Sequence, residues 1–326
     1  MIMHRNNRPP LDPSDPDNFL DLINSEASPL ASMEEWQTFL GKIQTIHNNT
    51  PRKEFQGFSP AQMRQLLTES FSAYEIAHFH APSAVGDVPF MRLYRILMEA
   101  LRGRGLKATA KGNLPRNFCR EAALEYYGQE KYADLTSPYG INNEEDFPEL
   151  CMVRHVMREA RLIHRQKGRW LATKNGLAHW DRDGLPGMFI PLLKVYVERC
   201  NWGVQDGFPD VYFLQRSFLF TLFLLARYGG EWRMDSFYSG LFLTAFPMLV
   251  RDFEPTPPIF AGSDRYFTLC YSVRVLDRFA AFWGLAETEE VFEDKGNYKM
   301  PIGRRVKRLP LLTDLVTFPD PVAGAK

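Results

Sequence analysis

The run from Phe218 to Ala226 contains no charged residue and sits between Arg216 and Arg227. It is far shorter than the roughly 20 residues that span a bilayer. The whole apolar stretch, Val211–Tyr228, is therefore read as a buried helix, and the rest of the chain must supply the surface that buries it. The material is there: 45% of residues are hydrophobic, 13% are aromatic, and 25 are Phe. Such a composition excludes a chain disordered throughout. A length of 326 residues suggests about two domains.

Lys plus Arg and Asp plus Glu number 39 each. With no net charge, nothing global points to nucleic acid or to an acidic membrane, and such a partner has to be read from local clustering. Met1–Pro16 holds four prolines and no apolar signal core, so it reads as a flexible arm, with no secretion signal and no membrane partner expected. Cys119, Cys151, Cys200 and Cys270 lie far apart without zinc or redox spacing. They read as buried reduced thiols in a cytoplasmic protein.

The expected fold is mainly α with a small β component, in three parts. Residues 1–85 form an N-terminal arm and helices, with helical patterns at Asp17–Ser25 and Ser32–His47 and a third opened by Ser59 and Pro60. Residues 86–182 form a winged-helix-like domain. Residues 183–326 form a helical bundle with an extended tail. In the middle part, Asp87 is placed to cap a helix carrying Phe90, Leu93, Tyr94, Leu97 and Leu101 on one stripe. A short strand from Leu106 follows, then a Lys111–Asn113 turn and a helix from about Leu114 to Tyr127 that Gly128 stops. A polar loop runs to Glu145, and Asp146 with Glu149 has the form of a capping box. The helix after it leads into strand, tight turn and strand over Leu162–Thr173. Leu106–Gly112 echoes Leu171–Gly176, as two strand ends side by side in one sheet would. After Gly184 come four helical candidates, Phe189–Arg199, Val211–Tyr228, Met234–Leu249 and Tyr266–Phe282, and then an extended tail from Val291 to Phe318.

The order helix, strand, helix, helix, strand, turn, strand is that of a winged helix. In that fold the third helix can enter the major groove while the hairpin touches the flanking backbone. Here that helix carries Arg154, Arg158 and Arg161 on one stripe, and the hairpin region adds Arg165, Lys167, Arg169 and Lys174. From Leu150 to Gly176 the only acidic residue is Glu159. Such a row can neutralise phosphates, so these seven residues are the expected nucleic-acid contacts. Trp170 either stacks or anchors the hairpin. Against this, Glu144, Glu145 and Asp146 would repel a phosphate backbone if they sat close. Winged helices also dock proteins, so the leading expectation is a non-enzymatic binding or scaffold protein whose partner is DNA or another protein.

Two other classes compete. His78 and His80, with Glu75 and Asp87 nearby, are weak metal candidates, because residues two apart share a face only on a strand. An enzyme with a pocket in the helical domain is the broader form of that alternative. No nucleophile elbow, phosphate loop or dinucleotide motif occurs, and no cofactor is expected. The aromatic stretches at Asn201–Gly203, Tyr228–Trp232 and Phe237–Tyr238 could line a pocket but read first as locks between helices, and aromatic C-terminal helices offer a route to dimerisation in a protein–protein interaction module.

Gly57-Phe-Ser-Pro-Ala-Gln-Met63, Leu106-Lys-Ala-Thr-Ala-Lys-Gly-Asn-Leu-Pro115, Tyr228-Gly-Gly-Glu-Trp232 and Ala245-Phe-Pro-Met248 resemble segments of an uncharacterised bacterial protein family. That family is distantly similar to helical modules of plasmid-borne and transposon-passenger proteins. The resemblance covers most of residues 55–318. It implies a bacterial, cytoplasmic protein with a link to mobile elements, and it supplies no active site.

Overall fold

Ser32 and Ser59 each start a helix for the same local reason. Each side chain accepts the backbone N–H of the residue three further on, and that residue's side chain, Glu35 or Gln62, closes the box on the cap's own N–H. The resulting helices are α1 (Met33–Asn49) and α2 (Pro60–Thr68). Phe39 and Ile43 of α1 and Met63 and Leu66 of α2 are buried, while Trp36 and Leu67 are half-buried. The computed structural model describes residues 32–136, 139–204, 206–260, 262–296 and 298–321. The expected arm and the Asp17–Ser25 helix lie outside them. The described chain divides into two units, one of residues 32–78, 243–247 and 318–321, the other of residues 79–242 and 248–317.

The short strand β1 (His78–Phe79) leads into the second unit, which continues with α3 (Pro89–Leu101), β2 (Leu106–Lys107), α4 (Arg116–Tyr127) and α5 (Gln129–Thr136). Then come α6 (Pro148–Glu159), β3 (Ile163–Gln166), β4 (Arg169–Ala172) and α7 (Lys174–Arg199). Asp87 does not cap α3. Val88 precedes it without a side-chain bond, and Pro89 stands where the missing N–H costs nothing. The expected polar loop after Gly128 contains α5, which buries no residue and so shows no apolar stripe. The capping box expected of Asp146 and Glu149 forms one turn earlier. Asn143 and Asp146 cap a 3-10 turn over Glu144–Asp146, and α6 starts behind Phe147 without a side-chain cap.

β2, β4 and β3 form one antiparallel sheet with β4 in the centre, Leu106 opposite Trp170 and Arg165 opposite Trp170 on the other side. The two echoing segments do not lie side by side as expected: the first begins with β2, the second contains the end of β4, and because these strands run antiparallel the segments leave the sheet in opposite directions. Lys167 and Gly168, both with positive φ, make the two-residue turn between β3 and β4. Gly176, in the first turn of α7, lies so close to the Leu162 carbonyl that a Cβ there would collide with it. α7 bends at Gly184, whose φ of 61° is non-helical.

Beyond the bend come α8 (Phe213–Arg216), α9 (Phe218–Tyr228), β5 (Arg233–Met234), α10 (Asp235–Ala245) and α11 (Ser263–Tyr271). α11 continues as a π-helix over Ser272–Ala281. The expected Val211–Tyr228 helix breaks at Ser217, whose hydroxyl bonds back to the Phe213 carbonyl. The Met234–Leu249 helix stops before Pro247, and a 3-10 stretch follows over Pro247–Phe253. The tail is a long hairpin of β6 (Ala286–Asp294) and β7 (Lys299–Arg308), joined by β5 on the β7 side, and then α12 (Pro310–Leu315) and β8 (Val316–Thr317). No helix among the described residues is long and apolar enough to cross a membrane.

Aromatic rings hold this unit together. Phe90 of α3 stacks on Trp283 at 4.1 Å, Phe189 meets the same indole edge-on at 5.4 Å, and Trp202 stacks on Phe279 at 4.5 Å. All five are buried. Trp202 of the Asn201–Gly203 stretch therefore acts as an internal lock, and buried aromatic residues of this kind contribute about 3–5 kcal/mol each against truncation. A buried ion pair fixes the loop after α7. Arg274 grips the Asp206 carboxylate with two N–H···O bonds of 2.7 and 2.8 Å and also donates to the Pro209 carbonyl. The two side chains are 2% and 0% exposed.

Removing one partner of such a pair strands a buried charge, so Asp206→Ala is expected to cost about 3–5 kcal/mol in urea unfolding. Adding Arg274→Met should recover most of that loss. An Asp206→Ala protein as stable as the parent would show that the pair contributes nothing.

Candidate functional site

Glu144 has no exposed side-chain surface. The 3-10 turn that carries it points its carboxylate inward, where one oxygen accepts the Leu114 N–H at 2.7 Å and the other accepts Arg154 Nε at 2.5 Å. Arg154 thereby leaves the solvent. Its guanidinium lies 4.9 Å over the ring of Trp170, and Nη2 reaches Cys151 Sγ at 3.9 Å. Trp170 is itself buried, with its indole N–H donated to the Gly112 carbonyl at 2.9 Å. The tryptophan therefore anchors the hairpin, and the arginine braces α6 against β4.

The remaining members of the expected row are placed differently. Arg158 is exposed at the end of α6, where it pairs with its neighbour Glu159 at 3.0 Å and bonds to His155 Nδ1 at 3.2 Å. Arg161 follows the helix in a left-handed conformation, φ 59°. It is exposed and makes no ion pair among the described residues. Arg165, on β3, folds its guanidinium over Gly112. Lys167 sits at the hairpin turn and Lys174 at the start of α7, both exposed. Arg169 is half-buried and occupied, donating to the carbonyls of Arg104 and Gly105 at 2.7 Å each.

Arg154, Arg158, Arg161 and Arg165 meet in an open groove of about 690 Å³ between the end of α6, the hairpin and the Lys111–Asn113 turn. Lys111, Arg154, Arg158, Arg161, His164 and Arg165 line it, and no Asp or Glu does. Glu144 offsets Arg154, and Glu159 shares Arg158. The positive charge left without an ion pair belongs to Lys111, Arg161 and Arg165. Sequence reasoning read Lys111 only as part of a turn. No local sequence signal joins that turn to the end of α6. Lys167, Arg169 and Lys174 are not among the lining residues. Of the acidic loop, Glu144 is withdrawn and paired with Arg154, while Glu145 keeps its charge beside the groove-lining Asn113. Glu145 accepts from Asn113, and Asp146 accepts two backbone N–H groups.

The other candidates offer less chemistry. His80 faces the Thr317 hydroxyl at 3.3 Å. Among the described residues, no group of three or more His, Cys, Asp or Glu is placed to hold a metal ion. Burial pushes the thiols of Cys119, Cys200 and Cys270 up to about 12, so they stay protonated at neutral pH. All four cysteines are free.

Arg154 and Arg158, four residues apart, should respond oppositely to truncation. Arg154→Ala leaves Glu144 buried and unpaired, and is expected to cost about 3–5 kcal/mol. Arg158→Ala should stay within about 0.5 kcal/mol of the parent. Urea unfolding of the two variants checks this, and equal losses would contradict the assignment of Arg154 as a brace.

No curated protein matches this chain, and no solved structure does. Residues 87–184 match the family model described as the Y4jL N-terminal domain, a span that contains the three-stranded sheet, the bend at Gly184 and every residue that lines the groove.

Proposed function

We propose that residues 86–182 act as a winged-helix-like domain, with residues 183–326 a helical bundle with an extended tail, and that the basic groove binds the phosphate backbone of DNA. The order α3, β2, α4, α6, β3, β4, with the additional helix α5 between α4 and α6 and with the first strand paired to the last, supports the first part of this reading. The observation that carries the second is a groove of cations with no carboxylate in its lining, three of them without an ion pair. Guanidinium and ammonium groups so placed bind phosphate oxygens and release counterions.

The mode differs from reading by a third helix. Leu150, Val153, Val156 and Met157 of α6 are in the core, Cys151, Met152 and His155 are half-buried, and only Pro148 and Arg158 are fully exposed. Such a helix has few side chains to offer base edges, so phosphate positioning dominates and sequence preference is weak. A cytoplasmic, bacterial setting with a link to mobile elements accompanies this reading through the sequence resemblance. A second reading, a protein-docking module, is favoured by one feature. Phe292, Tyr298, Met300 and Ile302 are each exposed near the end of the β6–β7 hairpin.

Binding to a fluorescent DNA duplex, followed by anisotropy across salt concentrations, tests the proposal. Lys111→Ala, Arg161→Ala and Arg165→Ala combined should weaken binding and reduce the slope of log affinity against log salt by about 2–3, close to 0.9 for each phosphate no longer neutralised. Lys194→Ala, on the exposed face of α7, should change neither. A triple variant with the parent's affinity and slope would end the DNA reading.

A further inference from the structure

A second cavity, of about 570 Å³, lies on the other side of α6 within the same unit. Its size falls in the range of pockets that enclose a small molecule. Pro89, Tyr126, Met152, Val204, Ala281 and Phe282 contribute apolar surface to its wall. The charged groups that reach it are already satisfied. Glu149 accepts the Tyr127 hydroxyl at 3.0 Å, and Asp277 is held by Arg304 Nε at 3.0 Å and by the Thr288 hydroxyl at 2.8 Å. Arg278 donates to the Val204 carbonyl at 2.7 Å, and Lys131 lies over the Tyr127 ring. Two cations, Lys131 and Arg278, and two carboxylates, Glu149 and Asp277, leave the lining without net charge, so it favours neither sign of ion.

Neutral donors remain, among them His155 and Asn201. The Arg158 guanidinium can only donate, so His155 Nδ1, 3.2 Å from it, is an acceptor. The neutral ring then carries its proton on Nε2. Burial and the neighbouring Arg158 charge both lower the pKa of this imidazole, which favours that neutral form. Asn201 spends its side-chain oxygen on the Gly203 N–H at 2.8 Å, leaving its amide NH₂ to donate. Both residues line the cavity.

We propose that this cavity is a binding site for an uncharged, largely apolar small molecule whose polar edge carries hydrogen-bond acceptors such as a carbonyl group. The apolar wall takes the body of the ligand, and His155 and Asn201 donate to its polar edge. The proposal does not depend on DNA binding, and its test contains no nucleic acid.

Nile red is a suitable probe, being uncharged, apolar and equipped with a carbonyl acceptor. Titrated into the purified full chain, it should bind saturably at one site with blue-shifted emission. Met152→Lys puts a charge into the wall, and Val204→Trp fills the space from a half-exposed loop position. Each should weaken binding at least tenfold without lowering the thermal midpoint. If Met152→Lys fails to fold, Val204→Trp carries the test alone. His155→Ala with Asn201→Ala should weaken binding several-fold. Binding that does not saturate, or that survives Val204→Trp, overturns the proposal. So does a loss of binding on Tyr298→Ser with Ile302→Ser, which would place the probe on the exposed hairpin.

Discussion

A carboxylate taken wholly out of water has to be met by donors, and Glu144 is met by two that come from different parts of the chain. The Leu114 N–H precedes α4, and the Arg154 guanidinium stands in the middle of α6. The cation continues onto the face of Trp170, whose indole N–H is tied to Gly112. One chain of contacts thus joins the turn before α4, the turn before α6, α6 itself and the central strand of the sheet. The groove is bounded by the parts this chain holds in place. A buried pair of this kind adds little net stability over an apolar replacement, while loss of either partner alone is costly.

This division of labour explains why a run of basic residues does not translate into a run of unpaired cations. Arg154 is consumed by Glu144, and Arg169 by two carbonyls. Arg158 is half-consumed by Glu159. Arg161 and Arg165 remain unpaired, and Lys111 joins them from a segment some fifty residues earlier. α6 is also a shared wall. Its Arg158 lines the basic groove and its His155 lines the apolar cavity, and the two side chains are 3.2 Å apart.

Helix starts governed by neighbouring residues were legible in the sequence. Ser32 and Ser59 cap as their spacing to Glu35 and Gln62 implies, and the hairpin over β3 and β4 follows from alternating residues around Lys167-Gly168. α5 was not legible, because it buries no residue and so carries no periodic signal. The capping box at Asp146 was misplaced by one turn, since two boxes compete there and the burial of Glu144 favours the one that Asn143 opens. Long helices after Gly184 were read as continuous where Ser217 and Pro247 interrupt them. An apolar run shows that a segment is buried and says little about where it bends.

By itself the sequence determined the class of fold, the local caps and turns, and the concentration of positive charge between Leu150 and Gly176. These depend on interactions between residues close in the chain, where spacing alone settles the outcome. Only the tertiary structure decided which cations stay free, that Lys111 shares a groove with Arg165, and that α6 offers little of its surface to a major groove. Those outcomes rest on partners remote in sequence, such as Glu144, Trp170 and Gly112. A charge repeated along a chain carries no mark of which copies the fold will neutralise.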